Sequence, residues 1–337
     1  MGHRTSRPPE VLENLRRVAA RMDALIKLKS GRTPIGQFRL KDGRVCNFLP
    51  SSLDINPTGA ATLVRDKDSA LYFMSRMGYR VAEGKAFVLP NTSIGERNLT
   101  IDRAYCYAMH LGLPVITKPN SGSRGRGVTL THTKPEFYDA MREIFAYDEV
   151  ALVQKKAHGR DYRIVVLDGV IITACERRPL SVMGDGQSTI EALLRQKDRA
   201  LKQMGKPSRI DPRNPSIKRV LLRRGMTLDS VLQEGEHVTL MDTANLMSGG
   251  DAIDVTVSLH PSIAQTAIDL TRDMGLYLSS VDLIVDGSIN DQNRFVILEI
   301  NSAPGLDHFL DRHATQAKPV EDLYFDVMTK FFEQQGR

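Results

Sequence analysis

In the amino-terminal region the hydrophobic pattern first predicts one helix and then short extended segments. Apolar residues recur at helical spacing from Val11 to Leu25, and Gly31 ends this pattern, so a helix is expected after Pro9. Glycine and proline punctuate the stretch that follows, up to Pro57, which predicts short strands and turns. The region is therefore expected to hold one helix followed by small β-structure.

Two further helices are predicted before the spacing of the apolar residues changes from helical to strand-like. The first begins at Asp66 and stops at Gly78. The second is capped by Thr100 and ends near Gly112. Beyond it the apolar runs are short and bounded by turn residues, as in strands, and Thr133 begins a helix between the second and third of these runs. The strands are predicted at 115–118, 128–130, 150–154, 163–167 and 170–175.

The carboxy-terminal half continues the alternation of helices and strands. Helices are predicted from Thr189, Thr227 and Pro261. Between the first two, the segment 205–224 is rich in Pro, Arg and Lys, which indicates an exposed insertion with little core of its own. A strand, a loop, a second strand and a closing helix are expected at 281–285, 287–293, 295–300 and from 319. Since strands and helices alternate without internal repeats, the predicted class is α/β or α+β.

Composition indicates which class of ligand the protein binds and in which compartment it is expected. The 337 residues suffice for two or three domains, and no apolar run approaches the ~18–20 residues that span a membrane. The formal charge of +6 fits anionic ligands such as nucleotides or acidic peptides. No helix-turn-helix, zinc-finger or aromatic-basic pattern accompanies it, which argues against nucleic acid. Three cysteines without metal-type spacing are expected as reduced thiols of a cytoplasmic protein.

A glycine-rich turn between the first two predicted strands of the middle region is a candidate phosphate site. Lys118 ends the first strand, and the turn runs from Ser121 to Gly127. Glycines allow backbone amides to surround a phosphate, and a lysine can reach its oxygens. A solvated basic turn explains the same residues equally well. Neither of the common nucleotide-binding glycine motifs is present in the sequence.

A second constellation consists of oxygen-bearing side chains on the last two predicted strands. Glu299 and Asn301 are two positions apart and point to the same face of their strand, and Asp282 joins them if the two strands pair as a hairpin. Such hard oxygen ligands suit Mg²⁺, and the alternative is ordinary polar residues at strand ends. In 159–163, Asp161 and Arg163 could bind ribose hydroxyls and a charged substrate group, or form a surface salt bridge.

The order of these segments resembles that of the ATP-grasp superfamily, in particular the ATP-grasp modules of cyanophycin synthetase and the bifunctional glutathione synthetases. The resemblance covers about residues 61–310. Each matching segment is common alone, and their joint order is highly specific. They are Asp66-Lys67-Asp68, Thr117-Lys118-Pro119 with the glycine turn, Gly159 to Arg163, Arg177 to Gly186, Ala244 to Asp254, and Glu299 to Gly305.

By this resemblance, ATP would be held from several sides. Lys67 and Lys118 would bind its phosphates, and Asp161 its ribose. The loop and the hinge at 154–157 would supply further nucleotide contacts, at Ser121, Gly122, Gly125, Gly127, Gln154, Lys155 and Ala157. Many relatives have a glutamate at the position of Gln154, which leaves the detail of the hinge contact open.

The resemblance also implies a metal site and a transfer site. Mg²⁺, with Mn²⁺ as an alternative, would be bound by Asp282, Glu299 and Asn301. The implied catalytic residues are Arg177, which would steady the acyl phosphate, together with Arg163, Asn245, Gly249 and Gly250. Residues 241–243 lack an arginine that relatives often carry just before the Asn245 segment, so the carboxylate substrate is expected to be held differently.

The implied fold is the ATP-grasp fold, in which two α+β subdomains clasp ATP. The expected division is a short divergent amino-terminal region at 1–64, a central or lid subdomain at 65–153, and a carboxy-terminal subdomain at 154–337 with a basic insertion near 201–226. The implied activity is that of an ADP-forming carboxylate–amine ligase acting on an amino acid or peptide. A kinase acting on a hydroxyl group and a non-catalytic nucleotide-binding module stay open as alternatives.

The expected partners follow from the same resemblance and from the charge. The substrate would be a small amino acid or a peptide, and the positive insertion would favour an acidic one. No membrane partner is expected, and the sequence leaves open a homodimer or a higher homo-oligomer.

Overall fold

The described part of the chain is a mixed α/β structure built from four sheets and their covering helices. The computed structural model describes residues 10–29, 35–49, 52–89, 94–122, 125–204, 208, 210–290, 294–306 and 319–335. The predicted class is confirmed, because strands and helices alternate along these ranges. None of the helices in them is both long and apolar enough to cross a membrane.

An antiparallel sheet and two helices form the amino-terminal unit. Strands β1–β4 (Leu25–Lys29, Ile35–Arg39, Val45–Leu49 and Ser52–Leu53) pair in sequence order. Helices α1 (Glu10–Arg21) and α9 (Val320–Gln335) share one apolar core with this sheet. The helix predicted to continue through Leu25 ends earlier. The chain turns at Asp23, whose φ of 50° lies in the left-handed region, and Leu25 begins β1.

The central sheet carries the glycine-rich turn. Its strands are β5 (Gly84–Val88), β6 (Val115–Pro119), β7 (Thr129–Thr131) and β8 (Val150–Lys155), in the order β5-β8-β6-β7. Helices α4 (Ile94–Leu111) and α5 (Lys134–Phe145) pack on it. Thr133 caps α5 as predicted, because its hydroxyl accepts a hydrogen bond from the Glu136 amide. The cap predicted at Thr100 is wrong, since α4 already begins at Ile94.

The large antiparallel sheet is the scaffold of the site. Its strands are β9 (Arg160–Leu167), β10 (Val170–Arg178), β13 (Asp251–Asp254), β14 (Leu278–Asp286) and β15 (Arg294–Asn301), in the order β13-β10-β9-β14-β15. Helices α2 (Thr58–Arg65), α3 (Lys67–Arg76) and α8 (Pro261–Asp273) cover one face. Although the predicted division assigned α3 to the central subdomain, Ala70 and Met74 of α3 belong to the core of this sheet. The division at 153/154 stays a prediction.

The opposite face of the large sheet is divided between packing and chemistry. At one end, Val165, Leu167 and Cys175 belong to the core shared with α1, α9 and the amino-terminal sheet. At the other end the same face carries charged residues, beginning with Arg163 and Arg177. The amino-terminal unit is therefore packed directly beside the charged cluster.

The predicted basic insertion is part of a compact fourth unit. Strands β11 (Ser181–Met183) and β12 (His237–Thr239) pair, and helices α6 (Ile190–Gln203) and α7 (Pro215–Arg223) pack beside them. The expectation of little core was wrong, because α7 buries Ile217, Val220 and Leu221. The helix predicted from Thr227 was also wrong, since turns occupy that stretch. Two basic residues of the insertion, Lys206 and Arg209, lie outside the described residues.

The packing of α7 is testable with two neighbouring leucines. Leu221 is 2% exposed and Leu222 is 74% exposed. Leu221→Ala should destabilise the unit by ~2–4 kcal/mol because it leaves a cavity. Leu222→Ala should change stability by less than ~0.5 kcal/mol. Hydrogen exchange of the α7 amides measures both effects locally, and equal exchange in the two variants would contradict the buried face.

Candidate functional site

A row of charged side chains crosses the large sheet. The register places Asp282 of β14 between Arg163 of β9 and Glu299 of β15. The hairpin that the metal hypothesis required is therefore present. In the same way, Arg177 of β10 lies opposite Asp161 of β9. Residues opposite each other on neighbouring strands project to the same face, so four strands contribute to one charged cluster.

Asp282 is bound by two arginines. Arg163 donates from Nε to one carboxylate oxygen at 2.7 Å and from Nη2 to the other at 2.6 Å. Arg177 places Nη1 at 2.9 Å from Asp282 Oδ2, and its Nε donates to Asp161 Oδ1 at 2.7 Å. The order Asp161–Arg177–Asp282–Arg163 alternates in sign, and the formal charges cancel. Such pairing offsets the free-energy cost of removing four ionised groups from water.

The two carboxyl groups of this cluster differ in their proton affinity. Burial alone would raise the pKa of the Asp282 carboxyl, but Arg163 and Arg177 outweigh it and lower that pKa to about 2. Burial raises the pKa of the Asp161 carboxyl to about 6, although Arg177 opposes the change. Asp282 has two guanidinium partners and Asp161 binds one, which accounts for the difference. The two arginines therefore favour the charged form of Asp282, which lies at the centre of the cluster.

Glu299 and Asn301 extend the cluster with oxygen ligands. Both are partly exposed, and Asn301 Nδ2 donates to Glu299 Oε1 at 3.2 Å. Within the described residues no three His, Cys, Asp or Glu side chains come together as a metal site. The donor set still fits Mg²⁺, which usually takes one or two carboxylates and completes its shell with water and phosphate. Both Asp282 oxygens already accept hydrogen bonds from arginines. Glu299 and Asn301 are therefore the foremost candidate ligands for Mg²⁺.

Lys118 faces this cluster from the central sheet. It lies on β6, and its side chain is buried. Burial lowers the pKa of the Lys118 ammonium, and the negative charges of Glu299 and Asp282 oppose this change. A buried ammonium gains stability from any further anion that approaches it. The position between the two sheets therefore favours a negatively charged ligand, as the sequence-based phosphate hypothesis requires.

Helix α3 holds the start of the glycine-rich turn. Lys67 Nζ donates to the carbonyl oxygens of Asn120 at 3.2 Å and of Gly122 at 2.9 Å. The Asn120 side chain accepts from the Asp68 amide at 2.9 Å and donates to Asp66 at 2.7 Å. The Asp66-Lys67-Asp68 segment thus fixes the turn in this structure, and Lys67 is engaged by backbone oxygens of the turn.

Further contacts hold the rest of the described turn. Ser121 donates from its amide at 2.8 Å and from its hydroxyl at 2.7 Å to the same oxygen of Asp148. The Arg126 guanidinium lies 4.2 Å from the centre of the Tyr147 ring, where a cation is attracted by the ring face. Ser123 and Arg124 lie outside the described residues. The described ends of the turn are therefore anchored on both sides.

The turn also meets the Asn245–Gly250 segment. A side-chain carbon at Gly125 would lie 2.6 Å from Asn245 Nδ2, and the φ of 69° at this position also favours glycine. Asn245 caps a short 3₁₀ turn by accepting from the Met247 amide at 3.0 Å. Gly249 ends that turn with a φ of 89°, and the Gly250 amide donates back to the Asn245 carbonyl at 3.1 Å. The structure thus brings Gly125 and Asn245 together, and their roles in binding and transfer stay predictions.

The predicted hinge residues lie where the chain passes from the central to the large sheet. Gln154 is buried in β8, where it is paired with Gly84 and Ile116. Lys155 is exposed, and its Nζ is 3.8 Å from Glu83. Ala157 lies half-buried in the link to β9. Gly127, at the far end of the glycine-rich turn, is packed beside Tyr147.

Several residues of the site carried no clear signal in the sequence. Asp148, which anchors Ser121, follows a helix and precedes a strand, so it was indistinguishable from an ordinary loop residue. Asn120 lay inside the recognised segment, but its bridge to Asp66 depends on the packing of α3 against a distant loop. Arg163, Asp161, Asp282 and Arg177 were all predicted as site residues, whereas the ion pairs of Arg163 with Asp282 and of Asp161 with Arg177 were not.

Comparison with known proteins identifies homologues over part of the chain. Cyanophycin synthetase from Geminocystis herdmanii is 33% identical over 230 residues, which are 64% of this chain and 26% of that protein. The bifunctional glutathione biosynthesis protein from Mannheimia succiniciproducens is 31% identical over 192 residues, 53% of this chain and 25% of that protein. This chain therefore spans about a quarter of the length of these relatives. No protein-family model matches it.

A solved structure agrees with these homologues in its fold. The bifunctional glutathione synthetase from Pasteurella multocida superposes with a TM-score of 0.59 at 19% identity, over 96% of this chain and 44% of that one. The chain therefore has the ATP-grasp fold, as the sequence analysis expected.

The ion pair of Asp161 gives a test of its predicted ribose contact. That contact stays a prediction, and the carboxylate is already bound to Arg177. We expect Asp161→Asn to leave the ratio of the dissociation constants for 2′-deoxy-ADP and ADP unchanged, because its main partner is the arginine. Titration calorimetry measures this ratio, with Glu176→Gln on the neighbouring strand β10 as the control. A ratio that falls to one only in Asp161→Asn would establish the ribose contact instead.

Proposed function

We propose that this chain is an ATP-dependent carboxylate–amine ligase, which forms an amide through an acyl phosphate and releases ADP and phosphate. The observation that carries the proposal is the meeting of cationic and oxygen-rich groups between two sheets. Lys118 of the central sheet lies within electrostatic reach of Glu299 and Asp282 of the large sheet. Since the homologous relatives are named for cyanophycin and glutathione synthesis, an amino acid or a peptide is the proposed substrate class.

The nucleotide end of the site would be formed by both sheets. Lys118 and Lys67 would bind the phosphates, and the loop from Ser121 to Gly127 would cover them. Glu299 and Asn301, with Asp282 beside them, would hold Mg²⁺. A bound Mg²⁺ ion would neutralise phosphate charge during transfer.

The transfer end would use the arginines of the large sheet. Arg177 and Arg163 are fixed by Asp161 and Asp282, so their orientation is set before any substrate binds. Preorganised cations can offset the repulsion between an attacking carboxylate and a phosphate. The carboxylate substrate would approach from this side, and Asn245, with Gly249 and Gly250, would frame the phosphate in transfer.

Closure of the site depends on the contact between the glycine-rich turn and the Asn245 segment. Gly125 lies against the Asn245 side chain. A closed turn keeps water from an acyl phosphate that water would hydrolyse. The hinge residues Gln154, Lys155 and Ala157 lie at the passage between the sheets, where the backbone is proposed to meet adenine.

The acyl phosphate gives the most specific test of this proposal. A panel of amino acids and short peptides is incubated with ATP, Mg²⁺ and hydroxylamine, which traps an activated carboxyl group as a hydroxamate. We expect one class of carboxylate to give hydroxamate together with ADP and phosphate. A stable phosphorylated product without free phosphate would establish a kinase instead, and AMP as the product would exclude the proposed chemistry.

The metal site gives a second test, with a readout that is independent of turnover. Glu299→Gln and Asn301→Ala each remove one oxygen ligand without adding bulk. In the presence of ADP, we expect each variant to weaken Mn²⁺ binding, followed by electron paramagnetic resonance, by about tenfold or more. Asp286→Asn, at the exposed end of β14, is the control. If both variants bind Mn²⁺ as tightly as the wild type, Glu299 and Asn301 do not form the metal site.

A further inference from the structure

Helix α7 presents one apolar face and one strongly basic face. Ile217, Val220 and Leu221 are buried in the core of the fourth unit, so the orientation of the helix is fixed. The remaining face and the flanking turns carry the basic residues Arg213, Lys218, Arg219, Arg223 and Arg224. We name the surface formed by these five residues the α7 basic face.

Among the residues that the structure describes, most of these cations have no acidic partner. Arg223 is paired with Asp242 and lies 3.6 Å from Glu136 of α5. Within the part of the chain that the structure describes, no carboxylate lies within salt-bridge distance of Arg213, Lys218, Arg219 or Arg224. Elsewhere on the surface, cations such as Arg195, Arg272 and Lys330 do have carboxylate partners. The unpaired cations create a local positive potential that neighbouring groups do not cancel.

The α7 basic face is joined to the candidate site through the start of its own segment. The Ile210 side chain lies directly against Gly249, where no side-chain carbon could be accommodated. The chain then continues over a few residues to Asn214, which caps α7. On the other side, Arg223 connects α7 to Glu136 at the start of α5, the helix that follows strand β7. The basic face is therefore connected to Gly249, at the proposed transfer end, and to helix α5 of the central sheet.

We propose that the α7 basic face binds the acidic part of a peptide substrate that extends out of the site past Gly249. This inference rests on the proposed function for the direction of the peptide, while binding itself requires neither ATP nor turnover. A group of cations without acidic partners, carried on a helix of fixed orientation, is complementary to a chain of carboxylates. Nucleic acid fits less well, because residues 204–226 contain no aromatic side chain on which a base could stack.

Binding of a model peptide tests the proposal directly. A labelled octapeptide of aspartate is titrated with the full chain, and its fluorescence anisotropy is followed at low and at physiological salt. The test variant replaces Arg213, Lys218 and Arg224 with serine. We expect it to bind about tenfold more weakly at low salt and to lose most of the salt dependence, because exposed charges act through screened attraction.

A control variant removes the same charge elsewhere. It replaces three basic residues of the amino-terminal unit with serine, namely Arg17, Lys27 and Lys29. This variant should bind the peptide as the wild type does. An octapeptide of asparagine should not bind to any of the proteins. Equal weakening in the control and the test variants would reduce the effect to net charge and overturn the proposal.

The remaining outcomes are also decisive. A single-stranded oligonucleotide that binds more tightly than the aspartate peptide, and loses affinity in the test variant, would assign the face to nucleic acid and overturn the proposal. No binding of the peptide to the wild type would overturn it as well. Face-dependent peptide binding without any hydroxamate formation would support the peptide site and count only against the proposed ligase activity.

Discussion

Asp282 bears a negative charge in the middle of the large sheet, almost completely removed from water, and the surrounding site is organised by the need to neutralise it. Two arginines, Arg163 and Arg177, provide the compensation from neighbouring strands. Removing one partner of such a buried pair generally costs ~3–5 kcal/mol, because the other charge is left uncompensated. The same constraint fixes the two guanidinium groups in position, and Asp161 holds Arg177 from its other side.

The second sheet brings a buried cation to this fixed cluster. Lys118 is buried opposite Glu299 and Asp282, and burial disfavours its charged form. A phosphate between the sheets would relieve that cost, so this arrangement of charges is suited to an anion. The contacts of Lys67 with the glycine-rich turn, and of Gly125 with Asn245, place the covering elements close to the same position. The charged groups and the covering elements therefore lie around the same position between the two sheets.

The sequence predicted those parts of the molecule that depend on local pattern. The β14–β15 hairpin, and with it the approach of Asp282 to Glu299, follows from two strands joined by a short loop. The ion pairs of Asp282 with Arg163 and Arg177 depend on the strand order β10-β9-β14, which alternation within single strands does not determine. The core of α7 was missed because its apolar residues, such as Ile217 and Leu221, are embedded in a segment dominated by basic residues and proline. Residue-by-residue resemblance identified candidate ligands, whereas their actual partners required the three-dimensional register.

The proposed function requires that the two sheets form a single site for a magnesium-bound nucleoside triphosphate around Lys118. Titration calorimetry with a non-hydrolysable ATP analogue tests it most directly, because no acceptor or carboxylate substrate is needed. We expect one binding site per chain, which requires Mg²⁺ and is lost on chelation with EDTA. Lys118→Ala should weaken this binding strongly, whereas Lys85→Ala, which changes a lysine on the outer strand of the same sheet, should not. Binding that is absent in the wild type, or that is equally strong in Lys118→Ala, would contradict it.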